Sequence, residues 1–233
     1  MHIFADVVIP AAGIGKRMGS AIPKQYLKLG SLTVLERTCA IFLKDPRIDQ
    51  VIVVVSAEDS IYPTLPLSSN SKIKTVIGGK ERAESVFNGL QEVTAPYVLV
   101  HDAARPFLHM KDLQALLNAG FTCKDGALLA VKMADTVKQA LSDNPESYAK
   151  VEKTVPRNTL WRALTPQMFQ IEVLVKAMLQ AQENKNCVTD EASAVEAFGL
   201  HPALVECLYP NFKLTTPADL KLAQALLQYE GNL

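Results

Sequence analysis

The chain has 233 residues, enough for one large α/β domain or two small ones with a substantial buried core. Lys plus Arg and Asp plus Glu number 24 each, so no net field draws the protein to nucleic acid or an anionic membrane, and any affinity for a polyanion has to be local. No apolar run nears the roughly 18 residues that a membrane span needs; Cys39, Cys123, Cys187 and Cys207 are far apart, and with no signal-peptide character at the amino terminus the expectation is a reduced, cytoplasmic protein whose thiols act as small buried hydrophobes.

Asp6 to Ile9 reads as a short strand buried on both faces, and a Pro10-Ala11-Ala12-Gly13-Ile14-Gly15 turn follows at once. Small residues let backbone N–H groups approach an anion closely. Lys16, Arg17 and Lys24 crowd the positions that follow, so the stretch has the makings of a phosphate cradle at the carboxyl end of a first strand. Neither familiar glycine motif fits. A dinucleotide fingerprint needs glycine or alanine where Met18 stands, and a P-loop needs a longer spacer between its glycines than the single residue Ile14. The stretch reads instead as a nucleotide loop that relies on side-chain cations, or as an ordinary strand-turn with incidental basic residues.

Thr33 to Glu36 has the form of a capping box, and Leu35, Cys39, Phe42 and Leu43 then recur at helical spacing until Asp45-Pro46. Gln50 to Val55 is a nearly continuous β-branched run, as in a strand covered on both faces of a parallel sheet. Pro63 and Pro66 punctuate an irregular stretch, Ile73 to Ile77 makes another strand ended by Gly78-Gly79, and a helix runs from about Arg82 to Val93. Tyr97 to Val100 and Leu128 to Val131 are strands with the helical run Leu113 to Leu117 between them. This rhythm implies right-handed crossovers and an α/β fold with a doubly wound, mostly parallel, Rossmann-like sheet. In such sheets ligands bind beyond the carboxyl ends of the strands, where Gly13 to Arg17, Gly78 to Arg82 and Asp102 to Arg105 lie.

Residues 132–157 break the pattern. Two polar-alternating runs separated by an Asn-Pro turn region predict a hairpin arm with little core of its own, inserted in a single domain spanning 1–233. Helices near Ile171 to Gln182 and Asp190 to Phe198, a strand around Leu204 to Leu208, the Asn211 to Thr215 segment and a closing helix from Pro217 follow.

The segments PAAGIGKRM (10–18) with PKQY (23–26), GGKERAESV (78–86), VLVHDAARP (98–106), RNTLWRALTPQMF (157–169), TDEASA (189–194) and NFKLTTPADL (211–220) resemble, in order and over essentially the whole chain, the 2-C-methyl-D-erythritol 4-phosphate cytidylyltransferases of the non-mevalonate isoprenoid pathway. The resemblance implies transfer of the cytidylyl group of CTP to 2-C-methyl-D-erythritol 4-phosphate, giving 4-diphosphocytidyl-2-C-methyl-D-erythritol and pyrophosphate. Such a reaction needs no general base, because the attacking phosphate is already an anion. It demands cations and backbone N–H groups that bring two polyanions together and stabilise charge on the α-phosphate, and it leaves histidine without a role.

By the same resemblance Arg17 and Lys24 are catalytic, Arg157 and Lys213 hold the acceptor phosphate, and Thr136 assists from a partner subunit reached by the arm, which makes the protein a homodimer. Arg105 joins Asp102 on the substrate side. Asp102 directly follows a strand and suits a ribose or acceptor hydroxyl, Mg²⁺ through water, or a helix cap. Pro10, Ala11, Ala12, Gly13, Gly15 and Lys16 would cradle the nucleotide phosphates, with the Gly78-Gly79 turn and Ser85 beside the cytosine and ribose and Arg82 a further nucleotide-binding residue. Mg²⁺ is expected to ride mainly on the CTP phosphates, since no dense carboxylate cluster is present to cage it. Lys80 and Pro156 depart from the family pattern. The rivals are a cytidylyltransferase for another polyol phosphate such as ribitol 5-phosphate, a CTP-binding regulator without catalysis, and a dehydrogenase, which Met18 already disfavours.

Overall fold

The continuous β-branched runs form buried strands, and the amphipathic runs between them form the helices that cover those strands. The computed structural model describes residues 4–13, 22–141, 148–184 and 188–230. In chain order, β1 (Ala5–Pro10) is followed by a small antiparallel pair, β2 (Lys28–Leu29) and β3 (Leu32–Thr33), then by α1 (Val34–Lys44), β4 (Ile48–Val55), β5 (Ile73–Ile77), α2 (Arg82–Leu90), β6 (Tyr97–Val100), α3 (Met110–Thr122) and β7 (Ala127–Lys132). A hairpin of β8 (Val137–Ala140) and β9 (Val151–Val155) comes next, and β10 (Trp161–Gln170), α4 (Ile171–Glu183), α5 (Glu191–Ala197), β11 (Ala203–Glu206) and α6 (Pro217–Glu230) complete the order.

Among the described residues the central sheet has seven strands in the order β11-β7-β10-β6-β1-β4-β5. β1 pairs in parallel with β4 and β6, β4 with β5, and β7 with β11. Strand order reverses at β1, from which the chain builds outward through β4 and β5 and then returns to β6. That reversal opens a crevice above the carboxyl ends of β1 and β6.

Period-two alternation sends Val7 and Ile9 into a cluster with Leu35 and Phe42 of α1 and Leu113 of α3. Val8 goes to the opposite face, with Val86 of α2, Leu174 of α4 and Val195 of α5. The α2 helix lies unusually close to the sheet: a Cβ on Gly89 would stand 2.6 Å from Val8 Cγ1 and 2.9 Å from Val54 Cγ2. That approach sets the first turn of α2 at the strand ends. The capping box of α1 is present in both halves: the Thr33 hydroxyl accepts from the Glu36 N–H at 3.2 Å, and the Glu36 carboxylate accepts from the Thr33 N–H at 2.6 Å.

Three elements differ from the sequence-based expectation. The α2 helix ends at Leu90 rather than Val93, and β11 ends at Glu206 rather than Leu208. The strand β10 was not anticipated, because Pro166 stands inside it and proline is excluded from most strand interiors. It runs antiparallel between β6 and β7, and its ladder to β7 shifts register between Ala163 and Gln167, which absorbs the residue without an N–H. The hairpin of β8 and β9 forms, pairing Val137 with Val155 as a separate two-stranded sheet whose side chains are mostly exposed. The Asn-Pro turn assigned to its tip lies outside the described residues.

Candidate active site

Beyond the carboxyl ends of β1, β5 and β6 lies a cavity of about 180 Å³. Pro10 to Gly13 form one wall, Gly79 to Arg82 and Ser85 around the start of α2 a second, and Asp102 to Ala104 after β6 a third; Lys24, Gln25 and Lys213 complete it. Small residues are required where the first two walls meet. A Cβ on Gly78 would lie 2.7 Å from Ser85 Oγ and 2.8 Å from Ala12 Cβ, so any side chain there would prise the loop after β1 away from α2. Ser85 Oγ accepts from the Gly79 N–H at 3.1 Å and donates to the Glu81 carbonyl at 3.0 Å.

Lys24 begins a 3₁₀ turn, Lys24–Tyr26, set by Pro23 at its N-cap. The neighbouring Gln25 is buried, and its amide donates to the carbonyls of Ala11 at 2.6 Å and Gly13 at 3.1 Å, which fastens the turn to the loop after β1. Tyr26 anchors the other end by donating its hydroxyl to the Asp59 carboxylate. Burial, with Asp59 alongside, pushes the Tyr26 phenol pKa up and keeps it protonated. Lys24 Nζ donates to the Leu214 carbonyl at 3.1 Å, and the Leu214 N–H donates to the Ala104 carbonyl at 2.9 Å. The segment carrying Lys213 is thereby stitched both to Lys24 and to the loop after β6.

Asp102 is the hub of the charges. Its Oδ2 faces Arg105 Nε and Lys213 Nζ, each at 3.0 Å, and its Oδ1 faces Arg82 Nε at 3.5 Å. Burial opposes ionisation, but Lys213, Arg82 and Arg105 outweigh it and hold the carboxyl well below the usual carboxylate range. Arg82 in turn forms a bidentate pair with Glu191, at 2.7 and 3.0 Å. Beneath Asp102, His101 is fully buried, and burial lowers its pKa from 6.5 to about 4. Its Nε2 lies 3.1 Å from the Arg105 carbonyl, which can only accept, so that nitrogen carries the proton. Nδ1 therefore accepts from the Thr165 hydroxyl at 3.0 Å, and Thr165 accepts from the Asp102 N–H at 3.0 Å. A neutral imidazole thus fixes the backbone under the hub.

Of the residues singled out in the sequence, Pro10, Ala11, Ala12, Gly13, Lys24, Gly79, Arg82, Ser85, Asp102 and Lys213 all line the cavity, and so does Lys80, one of the two departures from the family pattern. Gly15, Lys16 and Arg17 lie outside the described residues. Arg105 stands behind Asp102, with Nη1 donating to the Asn211 carbonyl at 2.8 Å, and is a support rather than a wall. Arg157 and Thr136 are exposed residues of the arm and are not among those lining the cavity; the Arg157 guanidinium donates to the Ala134 carbonyl at the arm's base. Sequence reasoning missed Gln25, Glu191 and Gln167. The one available signal was the capping pattern Asp190 to Ser193, which forms and sets Glu191 at the head of α5.

A doubly wound α/β domain that turns small-residue backbone and lysine and arginine side chains into one crevice at its strand reversal defines a nucleotide-handling enzyme of the nucleotidyltransferase class. Comparison with known proteins narrows this. The chain belongs to the 2-C-methyl-D-erythritol 4-phosphate cytidylyltransferase family, whose IspD model matches residues 5–229. It is 46% identical over 223 residues to the protein of that name from Haemophilus ducreyi, covering 95% of each chain, and 44% identical over 223 residues to that from Tolumonas auensis, covering 96% of each. The crystal structure of the Francisella tularensis enzyme superposes with a TM-score of 0.79 at 36% identity, covering 95% of this chain and 99% of that one.

Proposed function

We propose that this chain carries out the family reaction, joining CTP to 2-C-methyl-D-erythritol 4-phosphate through the cavity at the strand reversal. A phosphate oxygen of the acceptor forms a new bond to the α-phosphorus of CTP, the bond from that phosphorus to the β-phosphate oxygen breaks, and pyrophosphate departs with the electron pair. The observation that carries the assignment is the convergence of Lys24, Arg82 and Lys213 on a wall made of Ala11, Ala12 and Gly13, which suits a polyphosphate.

Lys24 and Arg17 stabilise the charge that develops on the α-phosphate. The turn fastened by Gln25 supports the role of Lys24, since a catalytic cation works best when its position is fixed before the substrate arrives. Gly79, Arg82 and Ser85 take the nucleoside end, while Lys213 leaves Asp102 to meet the acceptor phosphate. Asp102 can release it, because Arg105 still neutralises the carboxylate from behind. Arg157 and Thr136 act from the arm of a second copy, which would make the working form a homodimer; the thinness of the hairpin, and the exposure of both residues outside the lining of their own chain's cavity, support that arrangement.

Mg²⁺ suits this site as a passenger of the triphosphate. No cluster of three or more His, Cys, Asp or Glu suited to a metal is found among the described residues, and the carboxylates lining the cavity are Asp102 and Glu81. Bound with the nucleotide, the ion would supply neutralisation of phosphate charge, with Asp102 the side chain placed to hold it through water. Among the described residues no helix is long and apolar enough to cross a membrane.

The test is a pyrophosphate-release assay that crosses the common ribonucleoside triphosphates with several polyol phosphates, with Mg²⁺ present or chelated. Turnover is expected with CTP and 2-C-methyl-D-erythritol 4-phosphate and lost on chelation. Equal turnover with ribitol 5-phosphate would overturn the acceptor assignment.

A further inference from the structure

Glu191 is a buried carboxylate, 2% exposed, that none of the steps above employs. It lies 109 positions from Arg82 in sequence, yet its two oxygens accept from both terminal nitrogens of that guanidinium, at 2.7 and 3.0 Å. The carboxylate is itself held rigidly. Gln167 on β10, 1% exposed, donates its amide N–H to Asp190 Oδ2 at 2.8 Å and accepts from the Ala192 N–H at 2.7 Å, so the residues on both sides of Glu191 are fixed to the sheet. Asp190 also caps α5 through the Ser193 N–H at 3.0 Å. A chain of contacts therefore runs from the sheet through α5 to a cation in the cavity wall.

We propose that Glu191 is a positioning residue for the nucleotide: it holds the Arg82 guanidinium in one orientation at the cavity wall and keeps it from collapsing onto Asp102. The fork of Arg82 has donor hydrogens beyond those directed at Glu191 and Asp102, and these remain for a ligand in the cavity that Arg82 lines. Without Glu191, the nearest anion to Arg82 is Asp102, already 3.5 Å away and shared with Lys213. The arginine would then compete with Lys213 for that carboxylate and leave the nucleotide wall. This role rests on the assignment of the cavity to CTP.

Calorimetric CTP titration and steady-state kinetics on the full chain test it, using Glu191→Gln, Glu191→Asp, Arg82→Lys and the Glu191→Gln/Arg82→Lys pair, with melting temperatures recorded for each. Loss of one well-oriented charge-assisted contact predicts that Glu191→Gln weakens CTP binding and raises its KM about tenfold, while kcat falls less than about threefold. Glu191→Asp should recover part of the loss, and the double variant should bind CTP no more weakly than Arg82→Lys alone. CTP affinity unchanged in Glu191→Gln, or losses that simply add in the double variant, would overturn the positioning role. If Glu191→Gln is too unstable to assay, Glu191→Ala is titrated in its place, and wild-type CTP affinity there overturns it equally. Unchanged CTP binding in Arg82→Lys would instead sink the assignment of the cavity itself, so the two failures are distinguishable.

Discussion

The cavity and the arm are built on opposite principles. Around the cavity every wall is braced from behind: Gln25 ties the lysine turn to the loop after β1, His101 and Thr165 hold the backbone of Asp102, and Glu191 grips Arg82. The arm has two short strands and exposed side chains, and its Arg157 donates to the Ala134 carbonyl at its own base. The contrast teaches that the cavity, Lys213 included, is organised by contacts within one chain, whereas the arm carries little packing of its own. Side chains braced in this way are held in position before any ligand arrives, whereas those of the arm are exposed.

The sharpest way to break the contrast is to remove the cation from the braced region. Lys24→Ala should lower kcat at least about a hundredfold in the pyrophosphate-release assay, while the melting temperature stays close to that of the parent chain; an equal loss of melting temperature would make Lys24 structural. Acid should attack the same region. In the unfolded chain His101 takes up its proton near 6.5, whereas the folded chain resists until about 4, so between those values the unfolded state binds more protons and stability falls as pH drops. The loss should reach on the order of 3 kcal/mol at the acid end, and His101→Asn should flatten the slope of denaturant-unfolding free energy against pH across that window.

The arm should answer differently. Arg157→Ala is expected to raise the KM for the acceptor phosphate by about tenfold to a hundredfold with CTP affinity intact. If the arm completes a neighbour's site, mixing the Lys24→Ala and Arg157→Ala proteins should restore activity, since each mixed dimer then holds one intact constellation; no recovery after subunit exchange would count against the crossing. Smallest of all, Lys138→Ala removes an exposed contact from Nζ to Thr154 Oγ1 at 2.7 Å and should shift unfolding free energy by less than about 0.5 kcal/mol.

What could be read from the sequence divides along physical lines. Strands covered on both faces announce themselves, as in Val51 to Val55, and the Thr33 to Glu36 capping box is a purely local code. The loops after β1, β5 and β6 were legible because glycines or alanines and charged residues cluster directly after apolar runs, and a doubly wound sheet brings those ends together. β10 was hidden by Pro166, whose placement depends on a ladder irregularity that only the neighbouring strand creates. The braces were hidden for a related reason. Gln25, Gln167 and Glu191 act through partners fixed by tertiary packing, and nothing local distinguishes a buried amide or carboxylate from a solvated one.

One feature of the sheet bears on how this scaffold can be altered. Lys132 and Trp161, which flank the excursion, are opposite each other on adjacent strands, and the Met133 N–H donates to the Leu160 carbonyl at 3.1 Å just beyond them. The chain therefore leaves and re-enters the body on neighbouring rungs, like a drawer whose depth does not change the cabinet. Residues between those rungs can be lengthened, trimmed or exchanged with little effect on the sheet register, which makes this spot a natural graft point.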